Sequence, residues 1–215
     1  MRIKEKLGSA KVAVITLGSK KAVDALRRGI AMGADEAFQI EDPALEEIDG
    51  YATAKTLAKF IESQGYDVIL CGKQAIDNDS GAVGPALAQF LGIPYLTSIV
   101  ELKIAADKKE ARAAREIEGG TEIVTCPLPA LFTAQKGLNE PRIPQVAGVM
   151  KAMKAQIQKF DLKALGLSPE DVRPKTKILK FYPPGKRPPV KMIEEEIPKN
   201  VEVLVKILRE QEKAI

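Results

Sequence analysis

The stretch "GKQAIDNDSGAVGPALAQFLGIP", residues 72–94, packs Gly72, Asp77, Asn78, Asp79, Ser80, Gly81 and Gly84 between the apolar runs "YDVILC" and "YLTSIV". Gly72 ends the first run with no side chain to keep a ligand away. Asp77, Asn78, Asp79 and Ser80 are turn and cap residues, so Asp79 or Ser80 can begin a helix. The amides of Gly81, Ala82, Val83 and Gly84 would then lie in a first turn without intrahelical acceptors, a natural place for a phosphate. Pro85 is tolerable only near such a start, which puts it close to residues 80–82. Asp77 and Asp79 would repel a phosphate unless they face a ribose hydroxyl or cap a turn, and Lys73 can offset them. The stretch is neither a Walker A motif nor a clean GxGxxG. From the residues alone, a nucleotide loop and a plain capped turn both stand.

Other chemistry is sparse. The chain has no histidine, so the usual acid–base group near neutral pH and the commonest metal ligand are missing. Cys71 and Cys126 stand far apart without a Cys-x-x-Cys arrangement, which suits a reducing compartment and small buried roles better than redox chemistry. No catalytic constellation and no metal cluster stands out, so binding of a cofactor and a partner is expected in place of side-chain catalysis. Thirty-three basic against 29 acidic side chains, net +4, do not point to nucleic acid. No apolar run approaches the roughly 20 residues of a membrane span, and the first residues lack a signal-peptide pattern, so a cytoplasmic protein is expected.

The elements that must position the loop follow from periodicity. "KVAVITLG" (Lys11–Gly18), "EAFQI" and "YDVILC" read as short buried strands. Between them, residues 19–33 carry Val23, Leu26 and Ile30 at helical spacing, and residues 50–64 carry Tyr51, Ala54, Leu57, Ala58 and Ile61 on one face. Residues 81–92 make a further helix. This alternation predicts an α/β fold with a doubly wound, mostly parallel sheet. Residues 95–104, 109–117 and 121–127 are too closely spaced for crossover helices and predict antiparallel hairpins, an insertion at about 97–127. "LPALFTA" reads as a strand returning to the core. A polar loop, a helix over about 146–156, a proline-rich arm with "YPPGKRPP" and a last helix in "NVEVLVKILREQ" complete the chain. The reading divides it into an α/β domain, 1–160, and an arm with terminal helix, 161–215.

The loop at 72–94, the segment "AREIEGGTEIVTCPLPALFTAQKGLNEPRIPQVAGVMKAMKAQI" with its Arg115-x-x-Glu118-Gly119-Gly120-x-Glu122 pattern, and "TLGSKKAVDALRRGIAMGADEAFQI" together resemble the beta subunit of electron transfer flavoprotein, over essentially the whole chain. The resemblance implies a fold of the adenine-nucleotide alpha-hydrolase-like type that holds AMP, or in a bifurcating branch a second FAD. It also implies pairing with an FAD-bearing alpha subunit, electron transfer from flavin-dependent dehydrogenases to an acceptor, and no catalytic side chains of its own. Carried over by motif, the nucleotide contacts Gly72, Lys73, Gln74, Ala75, Ile76, Asp77, Asn78, Asp79, Ser80, Gly81, Ala82 and Val83. The segment Leu138, Asn139, Glu140, Pro141 and Arg142 resembles the loop that docks partner dehydrogenases through an exposed leucine. Alternatives are a stand-alone adenine-nucleotide-binding or hydrolysing protein, and a structural subunit that no longer passes electrons. The chain departs from the family at its front: "RIKEKLG" looks like the end of a helix, and about 45–55 residues of a βαβ-like opening have no counterpart. Either a truncated start or a shortened subunit is expected from that comparison.

Several residues carry two readings each. Leu138 is an exposed anchor or a leucine folded back onto the core. Arg142 pairs with Glu140 or with a partner's carboxylate. Lys151, Lys154 and Lys159 are solvated charge or steer an acidic surface. Phe181 and Tyr182 anchor the arm in a partner's groove or fold against the chain itself.

Overall fold

The computed structural model describes residues 1–186, 189–190 and 192–214. It divides into two units, Met1–Lys177 and Ile178–Ile215.

In the first unit, a short helix α1 (Arg2–Leu7) precedes β1 (Ala13–Leu17), α2 (Val23–Ala31), β2 (Glu36–Ile40), α3 (Gly50–Glu62), β3 (Val68–Gly72) and α4 (Val83–Leu91). Then come β4 (Tyr95–Ile104), β5 (Glu110–Ile117), β6 (Gly120–Pro127), β7 (Ala130–Ala134), α5 (Val146–Lys154) and β8 (Gln158–Phe160). β1, β2 and β8 form a parallel sheet in the order β1-β2-β8. The second sheet runs β3-β7-β4-β5-β6, parallel at β3-β7-β4 and antiparallel through the β4-β5-β6 hairpins. The mostly parallel α/β architecture is as the alternation predicts, and the antiparallel part coincides with the close spacing of residues 95–127. The ladder is nevertheless split: β1 and β3 each end a sheet and do not pair with one another.

Side chains from both sheets enter one core. Ile40, Phe60, Leu87 and Leu131 are fully enclosed in it, with Ile15, Leu17 and Cys71 packed against them. Phe38 of β2, Phe60 of α3 and Phe160 of β8 stack as a trio, with centroids 5.0 Å apart for Phe38–Phe60 and Phe60–Phe160. Pairs of this kind add about 0.5–1.5 kcal/mol each beyond their area. That trio recruits β8, a strand too short to show a period of its own in the sequence. A second cluster, with Ile99, Phe132 and Cys126, lies under the hairpins.

The compact unit continues past residue 160 because Leu162 and Val172 are buried in the first core. Between them, Ser168 and Asp171 form a reciprocal cap on a 3₁₀ turn, and Lys55 of α3 donates to the Asp171 carbonyl and carboxylate at 2.8 and 3.2 Å. The Ser168 hydroxyl, its amide and then Lys55 hold the Asp171 carboxyl down at about 2. A carboxylate depressed in the folded state contributes stability above its unfolded value and loses it as pH falls toward the folded one. Residues 168–172 are therefore expected to lose amide-exchange protection between about pH 4 and pH 2, and Asp171→Asn should show the same loss at neutral pH. Unchanged protection in the variant would rule the strap out.

The second unit ends in α6 (Lys199–Lys206), preceded by a turn at Ile197–Pro198, and one π turn (Ile207–Gln211). Neither helical element buries a residue, and Ile178, Leu179, Phe181 and Tyr182 are all strongly exposed. No helix among the described residues is long and apolar enough to cross a membrane.

Candidate functional site

β3 delivers Gly72 to the carboxyl edge of its parallel sheet, where open α/β sheets take ligands. The loop from Lys73 to Ala82 then closes on itself. The Asp79 amide donates to the Ala75 carbonyl at 3.0 Å, and Gln74 Nε2 donates to Asp79 Oδ1 at 2.8 Å. The Ser80 amide donates to Asn78 Oδ1 at 3.1 Å. Asp79 and Asn78 thus spend their oxygens on shaping the turn. Asp79 and Gly81 take left-handed backbone, φ 50° and 58°, which an aspartate tolerates and a glycine adopts freely. Ile76 at the tip is 98 % exposed.

The helix begins later than the cap residues suggest. α4 starts at Val83, Ala82 occupies the N-cap, and no side chain caps it. The Asp79 carboxylate accepts Gln74 and the Ser80 amide donates to Asn78 within the preceding turn, and the helix start passes to a residue that cannot cap. The amides of Gly81, Ala82, Val83 and Gly84 have no protein acceptor among the described residues. Four orphan donors at the start of a nine-residue helix, with small side chains around them, fit the phosphate of a nucleotide.

The two framing glycines differ. A Cβ on Gly84 would lie 2.5 Å from Thr133 Cγ2, so this glycine lets α4 approach β7. A Cβ on Gly72 would meet no described residue within 4 Å beyond its two chain neighbours. The fold does not require glycine at position 72, whereas a ligand at the loop would. The start of α3 also borders this site: a Cβ on Gly50 would lie 3.7 Å from Val83 and 3.8 Å from Ala82. Sequence reading missed this border, although Asp49 ahead of an amphipathic run is an N-cap signature. Cys71 sits one residue from the loop, and burial pushes its thiol up, as it does for Cys126; both are free thiols. Neither has thiolate character for redox chemistry.

The segment 138–142 is arranged differently from the exposed-leucine expectation. Leu138 is half-buried against the second core cluster. Arg142 does not pair with Glu140; its Nη1 and Nη2 donate to Glu5 at 2.7 and 2.9 Å. Exposed apolar surface begins just beyond, at Ile143, Val146, Met150 and Met153, with Val146 81 % exposed. Their spacing of three and four residues puts them on one stripe of α5 and its approach. The opposite face is fastened to α2. Arg27 Nη1 donates to the Ala152 and Met153 carbonyls at 2.7 and 2.8 Å, and Gly148 lies against Ala31. Arg115 and Glu122 stand directly opposite on β5 and β6 and form an ion pair, closing the hairpin at Gly119–Gly120. Among the described residues, no acidic, cysteine or histidine group could hold a metal ion.

A family model described as the electron transfer flavoprotein domain matches residues 1–165. The chain is similar to the electron transfer flavoprotein subunit beta of Bacillus subtilis (strain 168), 39 % identical over 217 residues that cover 100 % of this chain and 83 % of the relative. It is 46 % identical over 152 residues to the protein of the same name from Thermoanaerobacterium thermosaccharolyticum, covering 71 % of this chain and 57 % of that one. The caffeyl-CoA reductase-Etf complex subunit CarD of Acetobacterium woodii is 38 % identical over 189 residues, 86 % of this chain and 71 % of the relative.

Proposed function

The chain belongs to the electron transfer flavoprotein family, with relatives named as its beta subunit, and from that premise we propose that it carries an adenine nucleotide at residues 72–83 and works only when paired with an FAD-bearing alpha subunit. The observation that supports the first part most directly is the row of unpaired amides from Gly81 to Gly84 beside an unobstructed Gly72. AMP fits this loop as a ligand that holds and does not react. FAD offers the same phosphate chemistry, and similarity to a subunit of a caffeyl-CoA reductase-Etf complex keeps it as the second reading. The exposed apolar residues Ile178, Leu179, Phe181 and Tyr182 of the arm suit the partner subunit, and the Val146–Met150–Met153 stripe of α5 suits docking of flavin-dependent dehydrogenases. Lys151 and Lys154 on α5 favour an acidic dehydrogenase surface.

Co-expression with the alpha subunit, denaturation of the purified complex and quantification of released ligands test the proposal. The expected result is one AMP, one FAD and one copy of each chain. Two FAD per complex and no AMP would move the assignment to the second reading. No adenine nucleotide beyond the FAD of the partner would remove the loop assignment.

A further inference from the structure

Asp49 uses its two carboxylate oxygens on two different segments. Oδ1 accepts the Ala52 amide at 3.0 Å and caps α3. Oδ2 accepts the Lys175 and Thr176 amides at 2.7 and 2.9 Å and the Thr176 hydroxyl at 3.2 Å. Burial opposes the charge, but these hydrogen bonds outweigh it and keep the carboxyl below its ordinary range. The neighbouring Tyr51 carries the Lys175 ammonium 5.3 Å above its ring and meets the edge of Phe90 of α4, centroids 5.3 Å apart. One turn on, Lys55 grips Asp171. Residues 171–176, just before the compact unit ends at Lys177, are thus fastened along the start of α3, on the helix end that abuts Ala82 and Val83.

The cap alone does not call for a carboxylate. Asparagine caps a helix as well as aspartate. Its amide nitrogen, however, can only donate, and the Lys175 and Thr176 amides need an acceptor. The second oxygen of Asp49 therefore serves the root of the arm.

We propose that Asp49 is a positioning residue that fixes the root of the C-terminal arm beside the nucleotide loop and thereby sets the affinity for the partner subunit. This rests on the reading that the arm grips that subunit. A root already held in place leaves less conformational freedom to lose on association. The occupant it prepares for is a protein surface with apolar grooves for Ile178, Leu179, Phe181 and Tyr182, all exposed on this chain.

The test compares wild type, Asp49→Asn and Thr176→Val in complex formation with the co-purified alpha subunit. Affinity is measured by titration, and amide exchange is followed over residues 171–180. Asp49→Asn is expected to keep the melting temperature and nucleotide content of wild type, to speed exchange at 173–178, and to weaken partner binding by about tenfold, equivalent to about 1.4 kcal/mol. Thr176→Val, which loses only the hydroxyl contact, should fall between the two. A wild type that binds while Asp49→Asn binds equally well overturns this proposal alone. A wild type that binds no alpha subunit overturns the arm's role and this proposal with it. A loss of affinity in Asp49→Asn matched by a fall in its melting temperature, with Thr176→Val like wild type in both, would mark Asp49 as a structural cap only and would also overturn it.

Discussion

Gly148→Ala is expected to lower the melting temperature by about 6–12 °C and to weaken dehydrogenase docking by at least about tenfold. The added Cβ would lie 2.4 Å from the Ala31 carbonyl oxygen and 3.3 Å from its carbonyl carbon. Both sides of this contact are backbone, so no rotamer change relieves it. Overpacking of a tight contact costs about 1–3 kcal/mol, and here the upper end applies because a helix must move. In a domain of this size each kcal/mol shifts the melting temperature by about 2–4 °C. The helix that must move is α5, which Arg27 clamps at its last carbonyls and which presents Val146, Met150 and Met153. Val146→Asp supplies the matching control. It alters an exposed side chain, so docking should fall by a similar factor with the melting temperature unchanged. Differential scanning fluorimetry and dehydrogenase-driven reduction of the complex at varied complex concentration read the two effects separately. A Gly148→Ala protein with normal melting would refute the tight crossing, and a Val146→Asp complex with normal docking would refute the stripe.

Gly72→Val is expected to abolish retention of the nucleotide, a loss of at least about tenfold in affinity or about 1.4 kcal/mol, while leaving the melting temperature of the ligand-stripped chain within about 2 °C of wild type. A surface change away from packed features costs within about 0.5 kcal/mol, and valine is favoured in strands. Beyond its two chain neighbours, no described residue stands within 4 Å of the new Cβ. The branched side chain instead occupies open space at the carboxyl end of β3, where a ligand at the loop would lie. Gly84→Ala should do the reverse and damage the fold first. Its methyl would press on Thr133 Cγ2, and Thr133 cannot rotate freely because its hydroxyl accepts the Ser98 amide at 3.0 Å. Ligand extraction from both variants, alongside their melting curves, separates the two glycines. Full nucleotide retention by Gly72→Val would refute the cradle.

The alternation of apolar runs and amphipathic helices from Lys11 to Leu91 was legible because both periods are regular there, and the hairpins were legible from spacing alone. What escaped were features decided by contacts far apart in sequence. β8 pairs with β2 across more than a hundred residues and owes its place to Phe160 meeting Phe38 and Phe60. Arg142 finds Glu5 and not its neighbour Glu140, because α1 folds back near the loop. Leu138 follows a glycine in a polar loop, which reads as exposed, yet core packing half-buries it and hands the exposed positions to Ile143 and Val146. The loop at 72–83 was legible in composition but not in its cap: Asp79 and Ser80 have the right chemistry for a helix start, yet they sit in a turn that ends before Val83, with the Asp79 carboxylate turned to Gln74.

The bare arm bears on the fate of the chain in the cell. "ILKFY" at 178–182 combines β-branched and aromatic residues with strong exposure, and only Lys177, Lys180 and the following prolines interrupt it. Such a segment favours self-association and recognition by chaperones and proteases when nothing covers it. A copy made in excess of its partner would be cleared or would precipitate, and an assembled copy would persist. The residues proposed to join the complex would therefore also police its stoichiometry, with degradation removing whatever synthesis leaves unmatched.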